Sequence, residues 1–311
     1  MKIRAYRLFP NGKSYEMQPY HVCMKGLENV VLFRDEDDYD AMVKIICVCA
    51  LRKKVRVIIY AVVSNHCHVA ILARSPEEAE AFAQEIKRVY SMWFSRKYRE
   101  RGILHREEIK AIPMETEWHV RNTLAYIPRN ALDNQCPIHL YPWSGYRAMF
   151  CGKQTDQPYR PVAALTFRER VAIMHTGDKL TDVPWLLDSE EHLIPSSFCD
   201  CEYLEQAFAH DAAFFLKTIG ELNPSQMHHL LEEMPYQMQS DSDYYKTAGE
   251  IAARWFKTEI SQLSLNQQTR LVPYLYRSTK TSISQLARVM GVPRERIAQI
   301  LQINSYLCRE K

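Results

Sequence analysis

The chain has 311 residues, 47% of them apolar and 25% charged, the make-up of a soluble globular protein long enough for two domains or one domain with a substantial extension. No apolar run approaches the length of a membrane span, and the N-terminus lacks the apolar core of a signal peptide, so membrane-embedded and exported classes are set aside. The net charge of +3 is unevenly spread: residues 1–150 carry 23 Lys/Arg against 17 Asp/Glu, residues 151–245 carry 6 against 16, and residues 246–311 carry 11 against 4. Two basic blocks around an acidic one point to two surfaces for a polyanion, joined by a segment that avoids it.

In chain order, Tyr20–Lys25 reads as a strand ended by Gly26. Asp35–Leu51 opens with an acidic cluster suited to a helix N-terminus and continues with Tyr39, Met42, Val43, Ile46 and Ala50 at helical spacing. Val55–Val63 and His66–Ala73 read as two strands of a hairpin. Ser75 and Pro76 start a helix that carries Phe82, Ile86, Val89, Tyr90, Trp93 and Phe94 to about Tyr98. Ile109–Pro113 is a fourth strand, and Thr116 caps a helix over Trp118–Ile127. The order βαββαβα predicts an α+β fold, an antiparallel sheet with helices packed on one face. Beyond Pro161 strand patterns nearly vanish, and Phe167–His175, Cys201–Gly220, Ser225–Met234 and Ser242–Gln262 read as helices. The expected division is a catalytic domain over 1–155, an acidic helical connector over 156–245 and a basic helical domain over 246–311.

Nine cysteines without regular spacing fit free thiols in a reducing cytoplasm, and no Cys-x-x-Cys supports a structural zinc. Cys47-x-Cys49 and Cys199-x-Cys201 read as core or incidental.

The run Asn65-His66-Cys67-His68-Val69-Ala70-Ile71 carries the most chemistry. Strand side chains alternate, so His66 and His68 share one face and form half of a metal site. The strand Tyr20-His21-Val22, the run Ala61–Val69, the segment Ala125-Tyr126-Ile127-Pro128-Arg129-Asn130 and the segment Tyr141-Pro142-Trp143-Ser144-Gly145-Tyr146-Arg147 follow one another in a telling order. Over about residues 15–150 the chain resembles the REP-associated tyrosine transposases, single-tyrosine HUH (His, hydrophobic, His) enzymes related to insertion-sequence transposases. The resemblance implies a ferredoxin-like βαββαβ catalytic domain that cleaves single-stranded DNA with a metal-assisted tyrosine. It implies that His66 and His68 are metal ligands, that Tyr126 is the nucleophile and that Asn130, four positions later, helps complete the metal site. Helical positions i and i+4 share a face, which independently lets Tyr126 and Asn130 point together at the histidines. Imidazole and oxygen ligands accommodate Mg²⁺ or Mn²⁺, with Mn²⁺ the more comfortable. A covalent 5′-phosphotyrosine would conserve the phosphodiester energy for strand transfer.

The family continues Tyr-Ile-x-x-Asn-Pro, whereas Ala131 follows Asn130 here and the proline, Pro128, comes earlier, inside the helix. His119 is the alternative third ligand, and Tyr90 and Tyr98 are competing tyrosines on a helix that packing explains better. Arg52, Lys53, Lys54, Lys87, Arg88, Arg96 and Lys97 are expected to neutralise DNA phosphates. The run 282–301, with Ala287, Gly291, Val292, Ile297 and Leu301, matches a helix-turn-helix with Arg294, Arg296 and Gln299 on its second helix. The expected partners are hairpin-bearing single-stranded DNA of REP-like or element ends and flanking duplex DNA, engaged by a monomer or homodimer in the cytoplasm at the nucleoid, with no membrane contact. Two rival readings are a domesticated hairpin-DNA-binding protein that no longer cuts, and a sequence-specific helix-turn-helix regulator. A metal-dependent hydrolase is disfavoured because no carboxylates cluster.

Overall fold

The computed structural model describes residues 5–8, 13–24, 31–63, 65–100, 104, 109–134, 136–150, 159–221, 241–279, 281 and 283–301. Its heart is an antiparallel sheet. The long strand β2 (Ser14–Met24) pairs through its first residues with β1 (Ala5–Leu8) and through its last with β5 (Ile109–Pro113). On its other side β2 pairs with β4 (His66–Ala73), which pairs with β3 (Arg56–Val63). The order β5-β2-β4-β3 is that of a ferredoxin-like βαββαβ sheet, as the resemblance implies.

Two helices complete this unit. α1 (Glu36–Lys53) starts where Asp35 accepts from the Asp38 N–H, with Glu36, Asp37 and Asp38 in the first turn complementing the helix dipole. It stops at Lys54, which adopts a left-handed φ of 58°. α2 (Pro76–Tyr98) starts at the Ser75 cap and buries Phe82, Ile86, Tyr90 and Phe94, one per turn. Both pack on one face of the sheet: Tyr20 feels Glu77 and Glu78 of α2, and Tyr60 feels Cys47 of α1. Tyr20 and Tyr60 alternate with His21 and Ala61, so the opposite face is the one that carries the histidines. A third helix, α3 (Glu117–Arg129), capped by Thr116, covers that face.

Strand β3 lies at the edge of the sheet, and the segment 141–145 shields it. The Val62 N–H donates to the Trp143 carbonyl, the Tyr141 hydroxyl donates to the Val62 carbonyl, and Ser144 bridges Ala61. A Cβ on Gly145 would sit 3.1 Å from Ile59 Cγ1 and 3.3 Å from the Tyr60 nitrogen, so any side chain there would push β3 away by a few tenths of an ångström. The Tyr-Pro-Trp-Ser-Gly-Tyr run is thus an edge cover.

The segment expected as an acidic connector packs against the sheet domain. Its elements are β6 (Arg160–Pro161), α4 (Phe167–Ile173), β7 (Leu186–Leu187), α5 (Cys201–Ala207) and α6 (Ala212–Glu221), and its apolar residues join the sheet's core. The Asp200 N–H donates to the Val57 carbonyl, and Phe198 stacks on Tyr60. Two helix expectations need correction here. The one over 167–175 stops at Ile173, and the one over 201–220 breaks at Ala209 and His210, both at left-handed φ. The helix expected over 225–234 and the strand end at Gly26 lie outside the described residues.

Acidic residues of this segment also reach the basic run: Asp178 accepts from Arg52 at 2.6 Å, and Asp200 lies 3.5 Å from Arg56. The described cysteines are free thiols, with Cys47, Cys49 and Cys199 buried. No helix among the described residues is long and apolar enough to cross a membrane.

A second apolar core is built from α7 (Asp241–Phe256), α8 (Leu265–Thr279), α9 (Ile283–Met290) and α10 (Arg294–Ile300). The helix expected over 242–262 ends at Phe256, followed by a 3₁₀ turn at Ile260–Gln262. α9 and α10 meet at Gly291, whose φ of 64° makes the sharp turn that the helix-turn-helix pattern anticipates.

His175 gives the fold a pH dependence. Its ring packs 4.3 Å from that of Trp93, and burial, then Lys44 and Lys97, lower its pKa to about 4. Between that value and the unfolded value near 6.5 the unfolded chain binds more protons, so the contribution is whole above about pH 6.5 and is lost as the pH falls toward 4. We expect urea unfolding at pH 7.5 and 4.5 to show wild type losing about 2 kcal/mol more than His175→Asn, allowing for partial exposure. Asparagine suits the left-handed φ of 53° at this position.

Candidate active site

Strand β4 places His66 and His68 on one face, opposite Val63 and Ala61 of β3. Their rings are perpendicular, with centroids 5.0 Å apart, and His68 is only 5% exposed. Strand β2 adds His21 from the same face. Its Nε2 lies 2.9 Å from His68 Nδ1, and the two rings stack at 5.1 Å. Asn65, in the turn before β4, sets its Oδ1 2.8 Å from His66 Nδ1.

Helix α3 lays Tyr126 and Asn130 over these rings. Tyr126 is 42% exposed, with its ring edge-on to His68 at 5.3 Å and to His21 at 6.5 Å. Pro128 has no N–H to donate, and the helix gives way to a 3₁₀ turn at Asn130. The Asn130 backbone N–H then reaches Ile127 and Pro128, while its side-chain nitrogen donates to the carbonyls of Tyr126 (3.1 Å) and Ile127 (3.0 Å). A buried amide left unsatisfied costs about 1–3 kcal/mol, so these bonds fix its orientation. With its nitrogen committed, the amide has its oxygen left for His66, whose protonated form it favours. The displaced proline therefore leaves Asn130 facing the histidines.

Burial lowers the pKa of His66 to about 4; the Asn130 bond opposes this, while Arg288 pushes it down and Asp241 up. Burial, then His66 and His21, hold His68 well below its ordinary value, and burial, then His119, brings His21 to about 4. All three imidazoles are therefore neutral at pH 7, the form that offers a nitrogen lone pair. Among the described residues no three His, Cys, Asp or Glu side chains are placed to hold a metal ion, so the histidines by themselves do not complete a set. Two imidazole nitrogens with the Asn130 amide oxygen make a neutral, mixed donor set. Its chemistry fits a divalent cation such as Mn²⁺ or Mg²⁺, with further coordination positions open to phosphate oxygens.

The structure thus brings together His66, His68, Tyr126 and Asn130. His119 sits a little under two turns earlier on α3, beside His21 rather than among the paired imidazoles. Tyr90 is buried with its hydroxyl on the Leu32 carbonyl, and the Tyr98 hydroxyl binds Asp38, so both serve packing. Most of the basic residues on α1 and α2 are not at this site. Arg52 and Lys53 close α1 and Lys54 caps it, just before β3, whose seven residue steps from Arg56 to Val63 span about 23 Å. Arg52 and Lys53 are matched to Glu85 and Arg52 also to Asp178, Arg88 pairs with Glu85, and Lys97 with Asp35 and Asp38. Lys87 and Arg96 lie on α2, on the face opposite the histidines. Arg294 and Arg296 are half-buried and Gln299 exposed on α10, with Arg296 donating to Gln299 at 3.5 Å.

Sequence reasoning missed two neighbours of the site. His21 was visible only as part of the Tyr-His-Val strand. The Asp241–Arg288 pair comes from the second core: Arg288 donates to both oxygens of the fully buried Asp241, at 2.5 and 3.1 Å, and both residues act on His66. This pair of the second core thus lies close enough to His66 to act on its charge. Removing one partner of a buried pair strands the other charge, so Arg288→Ala is expected to cost about 3–5 kcal/mol in thermal or urea unfolding. Arg288→Leu combined with Asp241→Asn should recover much of that loss.

Residues 14–130 match the family model described as "Transposase IS200 like", and no match was found among the curated proteins. The matched span runs from the first residue of β2 to Asn130 and contains His21, His66, His68, Tyr126 and Asn130. In strand order, in its paired histidines and over these matched residues, the sheet domain of the chain is similar to the IS200-like transposases.

Proposed function

We propose that this protein is a metal-dependent DNA strand transferase that cuts and rejoins single-stranded, hairpin-bearing DNA through a covalent 5′-phosphotyrosine on Tyr126. The observation that carries this reading is an exposed tyrosine edge-on to the buried, neutral His68 imidazole, with the Asn130 amide at the neighbouring His66. Of the tyrosines weighed, Tyr126 is exposed at the histidine cluster, whereas Tyr90 and Tyr98 are spent on packing.

His66, His68 and Asn130 would hold the cation. When bound, it supplies the positive charge that favours the phenolate and draws electrons from a coordinated phosphate. Tyr126, rigidly placed on α3, attacks phosphorus in line; the Tyr126 Oη–P bond forms as the P–O3′ bond breaks. The phenolic proton is lost to solvent, and the leaving strand takes up a proton as its 3′-hydroxyl. Attack by another 3′-hydroxyl on the phosphotyrosine reverses these bonds and joins a new strand. The neutrality of the imidazoles keeps them as ligands through the acidic side of pH 7.

The test is a single-stranded hairpin oligonucleotide labelled at either end and incubated with protein and Mn²⁺. A denaturing gel should show protein joined to the 3′-labelled piece and release of the 5′-labelled piece. DNA that is bound yet uncut would favour a retired transposase acting as a binding protein.

We further assign α10 a role in gripping flanking duplex, because Gly291 sets it against α9 in a helix-turn-helix hairpin. Arg294→Ala with Arg296→Ala should weaken duplex binding across sequences and lower the slope of log affinity against log salt by about 2.

A further inference from the structure

The two paired histidines are held in the same way, and this points to a role for His21. His66 Nδ1 faces an oxygen, Asn65 Oδ1, at 2.8 Å, so in the neutral ring the proton belongs on Nδ1 and Nε2 carries the lone pair. The Asn130 oxygen is itself an electron-pair donor, its nitrogen being spent on two carbonyls. His68 repeats the pattern with a nitrogen in place of the oxygen: its Nδ1 is 2.9 Å from His21 Nε2.

We propose that His21 is a positioning residue that accepts the His68 Nδ1–H and so fixes His68 in the tautomer whose Nε2 lone pair joins those of His66 and Asn130. Histidines that ligate metals characteristically give their other N–H to a neighbouring acceptor, which sets tautomer and ring orientation. The opposite arrangement, His21 donating, would put the His68 proton on Nε2 and remove one ligand. His21 is placed for this part by the sheet. Cys23 pairs with His68, and His21, two residues earlier, shares its face and stacks diagonally on the imidazole. Its strand is locked between β4 and β5, so the acceptor does not move when DNA arrives. His21 touches neither cation nor DNA in this scheme; it acts through His68.

The inference rests on the proposed metal site, and its test separates the two. Mn²⁺ affinity of the full chain is measured by calorimetry for wild type, His21→Leu, His21→Glu and His21→Gln, with folding checked by circular dichroism. The histidine ¹⁵N spectrum of each metal-free protein is recorded alongside. His21→Leu should weaken Mn²⁺ binding 10- to 100-fold and shift His68 away from the Nδ1–H tautomer. His21→Glu, an acceptor with no proton to give, should restore both, as should the His21→Gln amide oxygen. Unchanged affinity and an unchanged His68 spectrum in His21→Leu would overturn the proposal, as would a His21→Glu protein behaving like His21→Leu. A wild type that binds no Mn²⁺ would instead remove the metal site, and the His68 spectrum would still decide whether His21 sets its tautomer.

Discussion

Tyr126→Phe is expected to abolish the covalent protein–DNA product, lowering strand cleavage by at least about a thousandfold, because only binding and electrostatic stabilisation remain once a covalent nucleophile is gone. The change removes one oxygen from a ring that is already half in solvent, so folding, hairpin binding and Mn²⁺ binding should all be retained. Tyr98→Phe supplies the comparison. It loses a buried hydrogen bond to Asp38 and some stability, yet it should still form the adduct. A gel that resolves bound from covalently attached DNA reads both variants at once.

His66→Ala and His68→Ala carry the second large effect. Each removes one of the two imidazoles from the donor set, and the remaining imidazole and amide oxygen make a weak site for a hard divalent cation. We expect each variant to lose Mn²⁺ binding by at least about 100-fold, beyond what loss of a supporting partner produces. Cleavage should fall with it and recover little at high Mn²⁺. Asn130→Ala should show a milder loss, since water can replace an amide oxygen as ligand. It also leaves the Tyr126 carbonyl without the bond from the Asn130 side chain, so some disorder at the end of α3 is expected.

Periodicity made the sheet domain legible. Alternation in the run 66–73 set two histidines on one face, and the caps at Asp35, Ser75 and Thr116 placed three helices within a few residues of their ends. Less legible was which face each helix covers, because that depends on crossover geometry rather than on any one segment's pattern. His21 shows the same limit. It lies 47 positions from His68, and only the pairing of β2 with β4 makes them neighbours. The basic residues of α1 were read as free charge because their partners, Glu85 and Asp178, are remote in sequence. The acidic segment likewise sends Asp178 and Asp200 to Arg52 and Arg56, pairings that no local pattern displays. Pro128 was a local signal of a broken helix, yet the Asn130 amide takes up the carbonyls that the helix end exposes and remains at the site.

In the proposed mechanism Tyr126 becomes joined to DNA at a site formed by His66, His68 and Asn130. The most direct measurement traps the complex formed with a single-stranded hairpin and Mn²⁺, digests protein and DNA, and locates the residual nucleotide by mass spectrometry. A nucleotide 5′-phosphate is expected on the peptide containing Tyr126, absent when Mn²⁺ is chelated before DNA is added. A nucleotide on a different tyrosine, or an adduct that forms equally well without a divalent cation, would contradict it.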